Sequence, residues 1–272
     1  MTRMDIETLR EKIEQLPPLS DSPERFTWEF RRKNLRHRIL KHEVEKFLRW
    51  PIIKETMFVG NVPYVYDKYR ELLGQDFAGD LSRWATAIVE PKFGGAELLP
   101  DIIIETSGNL VNQAHHLMTW ENTTGERVED LNFIFEFGGG YGAMALICRR
   151  LGFTGKYTIL DLPEFSLLQQ YYLSNVLPED DKLFFIDDVE WVGIQRSLTI
   201  AKYDLLIANC SLSEVMGEDR DKFISWLWSK GGLITYHPRW DGFDNDTYFK
   251  EQYPQARFFN SKHHGNVRFC IW

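Results

Sequence analysis

The stretch that decides the fold is Asn132-Phe-Ile-Phe-Glu-Phe-Gly-Gly-Gly-Tyr-Gly-Ala-Met-Ala-Leu-Ile-Cys148. An apolar run leads into a turn that holds four glycines, and a second apolar run follows, which predicts a strand, a tight turn and a helix. Gly138, Gly140 and Gly142 suit a backbone that turns sharply and lets a ligand approach where a Cβ atom would collide. The stretch therefore predicts the ligand-binding turn of an α/β fold.

The spacing of these glycines leaves two classes of cofactor open. Gly138-x-Gly140-x-x-Ala143 fits the dinucleotide fingerprint. Asp161 follows about 20 residues on, where such folds place a ribose-binding acid. Glu136, just before the glycines, distinguishes the two classes, because a carboxylate repels a pyrophosphate but suits a cofactor with an ammonium and a sulfonium. Like charges a few ångströms apart cost roughly 1–4 kcal/mol at effective dielectrics of 20–80, so Glu136 favours the cationic cofactor.

Composition indicates a folded chain that does not bind nucleic acid in general. The 272 residues suffice for one large domain or for one domain with a substantial extension. An apolar content of 43% and an aromatic content of 14% are typical of globular proteins. The formal net charge of −8 argues against a nucleic-acid partner.

Cysteine usage and hydropathy favour a cytoplasmic protein without membrane insertion. Cys148, Cys210 and Cys270 are odd in number, widely spaced and set in apolar segments, which suits buried thiols in a reducing compartment. No apolar run reaches the roughly 18 residues of a membrane span. The first residues, Met-Thr-Arg-Met-Asp-Ile-Glu, lack the apolar core of a signal peptide.

Residues 1–83 are expected to form a helical N-terminal extension. Apolar periodicity predicts helices over 4–15, 23–49 and 60–75, with Pro51 breaking the second. The basic run from Arg31 to Arg38 is interpreted as the solvated face of a helix rather than as a nucleic-acid patch. Homo-oligomer formation through these helices is left open.

Residues 84–130 are expected to be a lid-like loop and a helix that leads into the core. Pro91 and the pair Gly94-Gly95 mark the loop, whose aromatic and charged residues suit closure over a site. The helix is predicted over 108–120. His115 and His116 are neighbours on it, project about 100° apart and do not easily share one metal ion.

From residue 131 onward, strands and helices alternate. Strands are expected at 131–137, 156–161, 183–187, 203–209 and 231–236, with helices near 141–151, 164–176 and 218–229. The chain ends in two β-rich runs, 256–260 and 267–272, joined by six residues. Because so short a connection cannot hold a crossover helix, these two strands should pair antiparallel. The prediction for 131–272 is a Rossmann-like, mostly parallel seven-stranded sheet with an antiparallel C-terminal hairpin.

Three motifs carry a resemblance to a known family: Glu136-Phe-Gly-Gly-Gly-Tyr-Gly142, Tyr157-Thr-Ile-Leu-Asp-Leu-Pro-Glu164 and Asn209-Cys-Ser-Leu-Ser-Glu-Val215. With them the chain resembles the class I S-adenosylmethionine-dependent methyltransferases and, within that class, the bacterial sugar O-methyltransferases. The first motif points to the superfamily, and the other two point to the narrower group. The resemblance covers about 85–272 and implies S-adenosylmethionine as cofactor and S-adenosylhomocysteine as product.

The resemblance also implies a set of cofactor-binding residues at the carboxyl ends of the parallel strands. The glycines would line the methionine and ribose portion, Glu136 would lie near the ammonium, and Asp161 would accept the ribose hydroxyls. Asp187 or Asp188 would meet the adenine, and Asn209 and Ser211 would face the transferred methyl group. The full set is Glu136, Gly138, Gly139, Gly140, Tyr141, Gly142, Asp161, Leu162, Asp187, Asp188, Val189, Asn209 and Ser211.

Three of these assignments have structural alternatives. Asp161, which precedes Leu-Pro, would suit a cap of the following helix. Asp187 and Asp188 would suit a solvated turn, and Tyr141 would suit the packing of the first helix.

Methyl transfer from a sulfonium is an in-line displacement, so we expect positioning to dominate catalysis. Alignment supplies roughly 7–11 kcal/mol, and a positioned base adds roughly 10²–10⁴-fold. His237 and Glu214 are the candidate bases, because they follow the fifth and fourth strands at the correct edge of the sheet; a structural role for either stays open. His116, His263 and His264 are weaker candidates. No carboxylate cluster commits the chain to Mg²⁺.

The expected activity is methyl transfer to a hydroxyl of a sugar or glycan precursor. Alternatives are another small-molecule acceptor (an amine, a carboxylate or a non-sugar hydroxyl) and a catalytically inactive binding subunit of the same fold. A nicotinamide oxidoreductase is disfavoured by Glu136 and by the terminal hairpin.

Overall fold

The computed structural model describes residues 2–20, 27–76, 81–187, 202–215 and 217–272. Within these ranges, most of the chain before β1 is helical. The helices are α1 (Ile6–Gln15), α2 (Trp28–Lys41), α3 (Pro51–Thr56), α4 (Pro63–Asp76), α5 (Leu81–Ala87), α6 (Gly108–Thr124), α7 (Ala143–Arg150), α8 (Pro163–Val176), α9 (Glu218–Trp226) and α10 (Asn245–Gln252). Short 3₁₀ segments cover Val44–Arg49, Val128–Asp130 and Leu212–Glu214.

The strands confirm the predicted sheet. They are β1 (Phe133–Phe137), β2 (Lys156–Asp161), β3 (Leu183–Asp187), β4 (Lys202–Asn209), β5 (Trp228–Tyr236), β6 (Arg239–Trp240), β7 (Phe243–Asp244), β8 (Arg257–Asn260) and β9 (Arg268–Ile271). Seven of them form one sheet in the order β3-β2-β1-β4-β5-β9-β8, and β6 and β7 form a small separate ribbon. The first five strands of the large sheet are parallel, and β9 pairs antiparallel with both β5 and β8.

Apolar side chains on both faces of the central strands produce two cores. On β1, Ile134 and Phe135 are fully buried and point to opposite faces. Ile134 joins the larger core with α6, α7, α8 and the N-terminal helices, while Phe135 packs against Phe223 of α9. The near-continuous apolar strands are what a parallel sheet covered on both faces requires.

Several helix boundaries differ from the prediction, and α6, expected over 108–120, continues to Thr124. The single helix expected over 23–49 is wrong within the described residues, since α2 ends at Lys41 and His42 is extended (φ −125°, ψ 170°). Pro51 begins α3 instead of only ending a helix, because a first helical residue needs no backbone N–H. The helix expected near 218–229 ends at Trp226, because Trp228 already pairs with Lys202 in the sheet.

The segment expected to be a loop from residue 84 begins as a helix. Trp84 lies in α5 and is 3% exposed, so its burial in the core overrides the loop signals that follow. Further along this segment, Gly94 and Gly95 contact the 3₁₀ segment Val44–Arg49. The Gly94 carbonyl accepts from the Leu48 amide at 3.1 Å, and the Gly95 carbonyl accepts from Arg49 Nε at 2.7 Å.

A buried ion-pair cluster docks the N-terminal helices onto the sheet domain. Glu164, in the first turn of α8, is fully buried, and its two carboxylate oxygens accept from Arg32 Nε at 2.7 Å and from Arg36 Nε at 2.6 Å. Both arginines lie on α2, about 130 residues away in the chain. The basic run that was interpreted as a solvated helix face therefore turns two of its charges inward.

We expect Glu164→Gln to destabilise the chain, because it removes the charge of the buried carboxylate that pairs with two inward-facing guanidinium groups. The loss should be about 2–4 kcal/mol, somewhat below the usual figure for a broken buried pair, since both arginines keep partial solvent contact. Urea unfolding followed by circular dichroism measures it. Lys41→Ala, an exposed change on the same helix, is the control and should shift the free energy of unfolding by less than about 0.5 kcal/mol. Equal stability of wild type and Glu164→Gln would contradict the docking role.

The described residues contain no helix that is both long enough and apolar enough to cross a lipid bilayer. The three cysteines are free thiols; Cys148 and Cys270 are buried, as predicted, and Cys210 is half-buried.

Candidate functional site

The glycine turn between β1 and α7 is built so that side chains are excluded. Gly138 has a φ of +70°, and a Cβ atom there would lie 2.3 Å from the Ser211 Cβ. Gly142 has a φ of +97°, and its Cβ would lie 2.7 Å from a methyl group of Leu173. Both positions therefore require glycine for conformation and for space. The turn is confirmed as a strand–turn–helix element.

Asp161, at the end of β2, braces this turn. Its Oδ2 accepts from the Gly140 amide at 3.2 Å and from Gln169 Nε2 at 2.6 Å, and its Oδ1 accepts from the Leu162 amide at 2.8 Å. Gln169 Nε2 also donates to the Gly140 carbonyl at 3.0 Å. The helix-cap alternative is wrong, because Leu162 is the N-cap of α8 and no side chain caps that helix.

Glu136 lies beneath the same turn instead of at an open mouth. It is 3% exposed, and its Oε2 accepts from the Tyr157 hydroxyl at 2.8 Å. A Cβ atom on Gly139 would lie 3.1 Å from that oxygen. Burial raises the pKa of Glu136 to about 8; the Tyr157 hydrogen bond opposes the rise and the Asp161 carboxylate adds to it. Glu136 and Asp161 thus adjoin one turn from two sides.

We expect the buried Glu136 carboxyl to make stability fall as the pH rises. The group stays protonated in the folded chain up to a pH of about 8, whereas it ionises near 4.5 when unfolded. The folded state therefore holds the extra proton between these values, and the free energy of unfolding declines across that window. In urea titrations from pH 5 to pH 9, the free energy of unfolding of wild type should fall by about 4 kcal/mol more than that of Glu136→Gln.

The control for this measurement is Glu126→Gln, because Glu126 is exposed on the same domain. It should keep the wild-type pH slope. If Glu136→Gln also keeps the wild-type slope, the Glu136 carboxyl is ionised in the folded chain and the prediction is wrong.

The end of β4 joins the glycine turn to α6. Ser211 Oγ donates to the Phe137 carbonyl at 2.5 Å, which holds the exit of β4 against the exit of β1. Asn209 Nδ2 donates to Gln113 Oε1 of α6 at 2.6 Å, and Thr235 of β5 donates to Asn209 Oδ1 at 3.3 Å. These contacts place Asn209 and Ser211 at the same sheet edge as the glycine turn.

The remaining cofactor candidates have different surroundings. Asp187 is half-buried at the end of β3 and lies in register with Asp161 on β2. Asp188 and Val189 lie outside the described residues. Tyr141 is 1% exposed, and its hydroxyl accepts from Asn109 Nδ2 at 2.9 Å, so its side chain packs in the core, in line with the packing alternative.

The two candidate bases follow neighbouring strands. Glu214 ends the 3₁₀ turn after β4; burial raises its pKa to about 7, opposed by Arg31, whose Nη1 lies 3.8 Å away. His237 follows β5, and its Nδ1 lies 3.0 Å from the Asn266 carbonyl oxygen. Because a carbonyl only accepts, Nδ1 carries the proton, and Nε2 of the neutral ring keeps its lone pair.

Asn245, which the sequence did not single out, holds these two segments together. It is fully buried, and its Nδ2 donates to the Ser213 carbonyl at 3.2 Å and to the His237 carbonyl at 3.0 Å. Its Oδ1 accepts from Arg220 at 2.7 Å. In the sequence it sits between two aspartates, a pattern typical of a solvated turn, so no local signal indicated its burial.

Lys68 and Asn112, which the sequence did not single out, meet the weaker candidate His116 in a group that we call the acceptor-side cluster. Lys68, on α4, is 1% exposed, and its Nζ donates to Asn112 Oδ1 at 2.7 Å and lies 3.4 Å from His116 Nε2. Burial lowers the pKa of Lys68 to about 8. The sequence signal that could have found Lys68 is the i, i+4, i+7 spacing of Tyr64, Lys68 and Glu71, which puts three polar side chains on one face of α4.

The acceptor-side cluster is connected to the candidate base His237 through the rings of Tyr64 and His264. Lys68 Nζ is 5.4 Å from the centre of the Tyr64 ring, which meets the His264 ring edge-on at 4.9 Å. The centres of the His264 and His237 rings are 6.5 Å apart. The weaker candidates His116 and His264 thus belong to one connected polar wall.

The N-terminal extension also reaches the glycine turn. Met57, which ends α3, lies against Gly140, where a Cβ atom would be 3.1 Å from the Met57 Cβ. Together with Arg31 near Glu214, this contact makes residues before 84 part of the walls of the site.

No family model matches this chain, and no curated protein matches it. Solved structures with a similar arrangement include magnesium protoporphyrin IX methyltransferase from Synechocystis PCC 6803 with bound SAM (13% identity, 76% of this chain and 89% of that chain, TM-score 0.42).

Two further similar structures are also methyltransferases. The mitomycin 7-O-methyltransferase MmcR is 12% identical over 77% of this chain and 68% of that chain, with a TM-score of 0.42. The methyltransferase domain of bacterial CtHen1 is 10% identical over 59% of this chain and 96% of that chain, with a TM-score of 0.43. At such identities and TM-scores, these likenesses carry no argument about what this chain binds or methylates.

Proposed function

We propose that this chain is an S-adenosylmethionine-dependent methyltransferase that methylates a hydroxyl of a sugar or glycan precursor. The observation that carries the proposal is the placement of Glu136 and Asp161 on two sides of one glycine turn, at the carboxyl edge of a mostly parallel sheet. His237 and Glu214 follow β5 and β4 at the same edge. A cationic cofactor would favour the ionised form of Glu136 beside Asp161, which a pyrophosphate would not do.

Asp161 and Glu136 would hold the two polar ends of the cofactor. Asp161, whose carboxylate accepts from the Gly140 and Leu162 amides and from Gln169, would also accept from the ribose hydroxyls. Glu136 would ionise as an ammonium approaches, because an adjacent positive charge favours the charged carboxylate. Asp187 would meet the adenine from the end of β3. When bound, S-adenosylmethionine supplies a methyl carbon attached to a sulfonium leaving group.

On the acceptor side, His237 Nε2 would take the proton of the substrate hydroxyl. The hydrogen bond from His237 Nδ1–H to the Asn266 carbonyl fixes the orientation of the ring and selects its tautomer. Glu214, with its raised pKa, would bind a neighbouring hydroxyl and set the direction of attack. We assign Glu214 to positioning because Arg31 lies beside its carboxylate.

The choice of a sugar is supported by the chemistry of the walls. Lys68, Asn112, His116 and Gln113 of α4 and α6 supply hydrogen-bonding groups to the region beside Asn209. A polyhydroxylated acceptor would exchange hydrogen bonds with such groups as it binds, whereas an apolar acceptor would offer them none in exchange. The helical extension, residues 1–83, would form one wall of this domain.

The experiment is methyl transfer from labelled S-adenosylmethionine to a panel of free sugars, nucleotide-linked sugars and glycan fragments. Amines, carboxylic acids and non-sugar hydroxyl compounds form the comparison panel. Label on a sugar hydroxyl, with turnover above that of the comparison panel, supports the proposal. Label only on an amine, a carboxylate or a non-sugar hydroxyl overturns the sugar assignment. Tight cofactor binding without transfer to either panel would indicate an inactive binding subunit.

A further inference from the structure

Three side chains from distant parts of the chain meet beside the acceptor-side cluster. Glu71 lies on α4, His115 on α6, and His263 in the connection between β8 and β9. Glu71 Oε2 is 3.1 Å from His115 Nε2 and 2.5 Å from His263 Nε2. The three atoms lie within 4.8 Å of one another. Two imidazole nitrogens thus converge on a single carboxylate oxygen.

The surroundings of these groups are mostly dry. The side chains of His115 and His263 are only 7% and 10% exposed, and their rings meet edge-on with centres 5.2 Å apart. Glu71 is more open, with 31% of its side chain exposed. Its second oxygen, Oε1, lies 3.5 Å from the exposed Lys262 ammonium, which leaves Oε2 for the imidazoles. One side of the group therefore remains accessible from solvent.

We propose that Glu71, His115 and His263 form a binding site for a divalent transition-metal ion of the Zn²⁺ class. Two imidazoles and one carboxylate are a ligand set that zinc accepts, with a fourth position left for water or another ligand. Ligand atoms around a tetrahedral zinc ion lie about 3.4 Å apart, so small rotations of Glu71 would admit the ion. Mg²⁺ and Ca²⁺ prefer all-oxygen sites and do not suit two nitrogens.

The neighbouring histidine explains why the site has two imidazoles and not three. His116 follows His115 on α6 but points toward Lys68, whose Nζ is 3.4 Å from its Nε2. His264, the neighbour of His263, packs against the Tyr64 ring at 4.9 Å. In each pair of neighbouring histidines, one ring therefore lies at the proposed metal site and the other lies in the polar wall that includes Lys68 and Tyr64.

An ion at this position would fasten the β8–β9 connection to α4 and α6. Glu71 and His115 are 44 residues apart in the chain, and Glu71 and His263 are 192 residues apart. The same helices carry the acceptor-side cluster, Lys68, Asn112 and His116. The proposed ion would hold that wall in place and would not itself touch the acceptor.

The test is equilibrium dialysis of the full-length chain against Zn²⁺ and Co²⁺ after removal of metal by a chelator. We expect one ion per chain and, for Co²⁺, the visible absorption of a four-coordinate complex. Glu71→Gln and His263→Ala should each weaken binding by about 10-fold or more. His264→Ala is the matched control, since it removes an adjacent imidazole that is not a proposed ligand, and should bind as wild type.

Thermal unfolding supplies a second readout that does not depend on dialysis. Zn²⁺ should raise the unfolding midpoint of wild type and of His264→Ala, because it binds the folded chain alone, and should leave Glu71→Gln unchanged. No bound ion in wild type, or wild-type affinity in Glu71→Gln, means that the three side chains form only a hydrogen-bonded group and overturns the proposal. Both measurements are made without S-adenosylmethionine, so their failure is distinct from a failure of the proposed function.

Discussion

Replacing Asp161 with alanine is expected to weaken S-adenosylhomocysteine binding by about 100-fold or more. Two ribose hydroxyls that donate to a charged acceptor contribute roughly 1.5–3 kcal/mol each, and each 1.4 kcal/mol is about tenfold in affinity. The Gly140 amide also loses its acceptor, which loosens the turn that faces the cofactor. Isothermal titration calorimetry of wild type and variant measures the change.

Asp161→Asn separates these two contributions. The asparagine oxygen can still accept from the Gly140 amide, so the turn is retained while the negative charge is lost. We expect an intermediate affinity, with unfolding midpoints of both variants within a few degrees of wild type. If Asp161→Ala is folded and binds S-adenosylhomocysteine within threefold of wild type, Asp161 does not hold the ribose.

Replacing His237 with alanine is expected to lower kcat by about 10²–10⁴-fold, the usual contribution of a positioned base. The affinity for S-adenosylhomocysteine should stay within about threefold, because in the proposed mechanism the imidazole contacts the acceptor and not the cofactor. Turnover with the best acceptor from the sugar panel and calorimetry with S-adenosylhomocysteine measure the two quantities on the same preparation.

Glu214→Gln is the matched comparison, since the amide keeps the shape of the carboxylate and cannot take a proton. For a positioning residue we expect mainly a rise in the KM of the acceptor, with kcat lowered less than in His237→Ala. A larger loss of kcat in Glu214→Gln than in His237→Ala would exchange the roles of the two residues. Full activity of His237→Ala would remove it from the mechanism.

Much of the sheet domain was predictable because its signals are local. The apolar run of β1, the glycine turn and the polar residues that end β2 and β4 lie within short stretches of sequence. The six-residue connection between the last two strands predicted their antiparallel pairing, and the register of β8 and β9 confirms it. The predicted strand ends differ from the observed ones by at most a few residues, since residues such as Trp228 continue the hydrogen-bonded ladder beyond the apolar part of the strand.

The walls of the site were harder to predict because they depend on contacts between distant parts of the chain. Glu164 meets Arg32 and Arg36 across about 130 residues, and nothing in a basic amphipathic stretch indicates which charges turn inward. Lys68 and Asn245 are polar residues whose burial follows from tertiary packing, which periodicity does not report. The predicted lid-like loop failed at its start because Trp84 is a core residue of α5.

The position of Glu136 changes how its role is understood. The sequence suggested a carboxylate at the mouth of the strand, whereas the residue is 3% exposed and bonded to Tyr157. Burial keeps the Glu136 carboxyl protonated at neutral pH when no cofactor is bound. Binding of the cofactor should therefore require Glu136 to lose that proton. The proposed attraction to an ammonium is therefore coupled to ionisation of a buried acid.

The central claim, that the glycine turn and its two acids bind a cationic methyl donor, is tested most directly by calorimetric titration of the wild-type chain. Separate titrations use S-adenosylhomocysteine, S-adenosylmethionine and NADH. We expect one equivalent of each sulfur cofactor to bind and NADH to give no binding heat. Saturable binding of NADH, with no response to either sulfur cofactor, would contradict the claim.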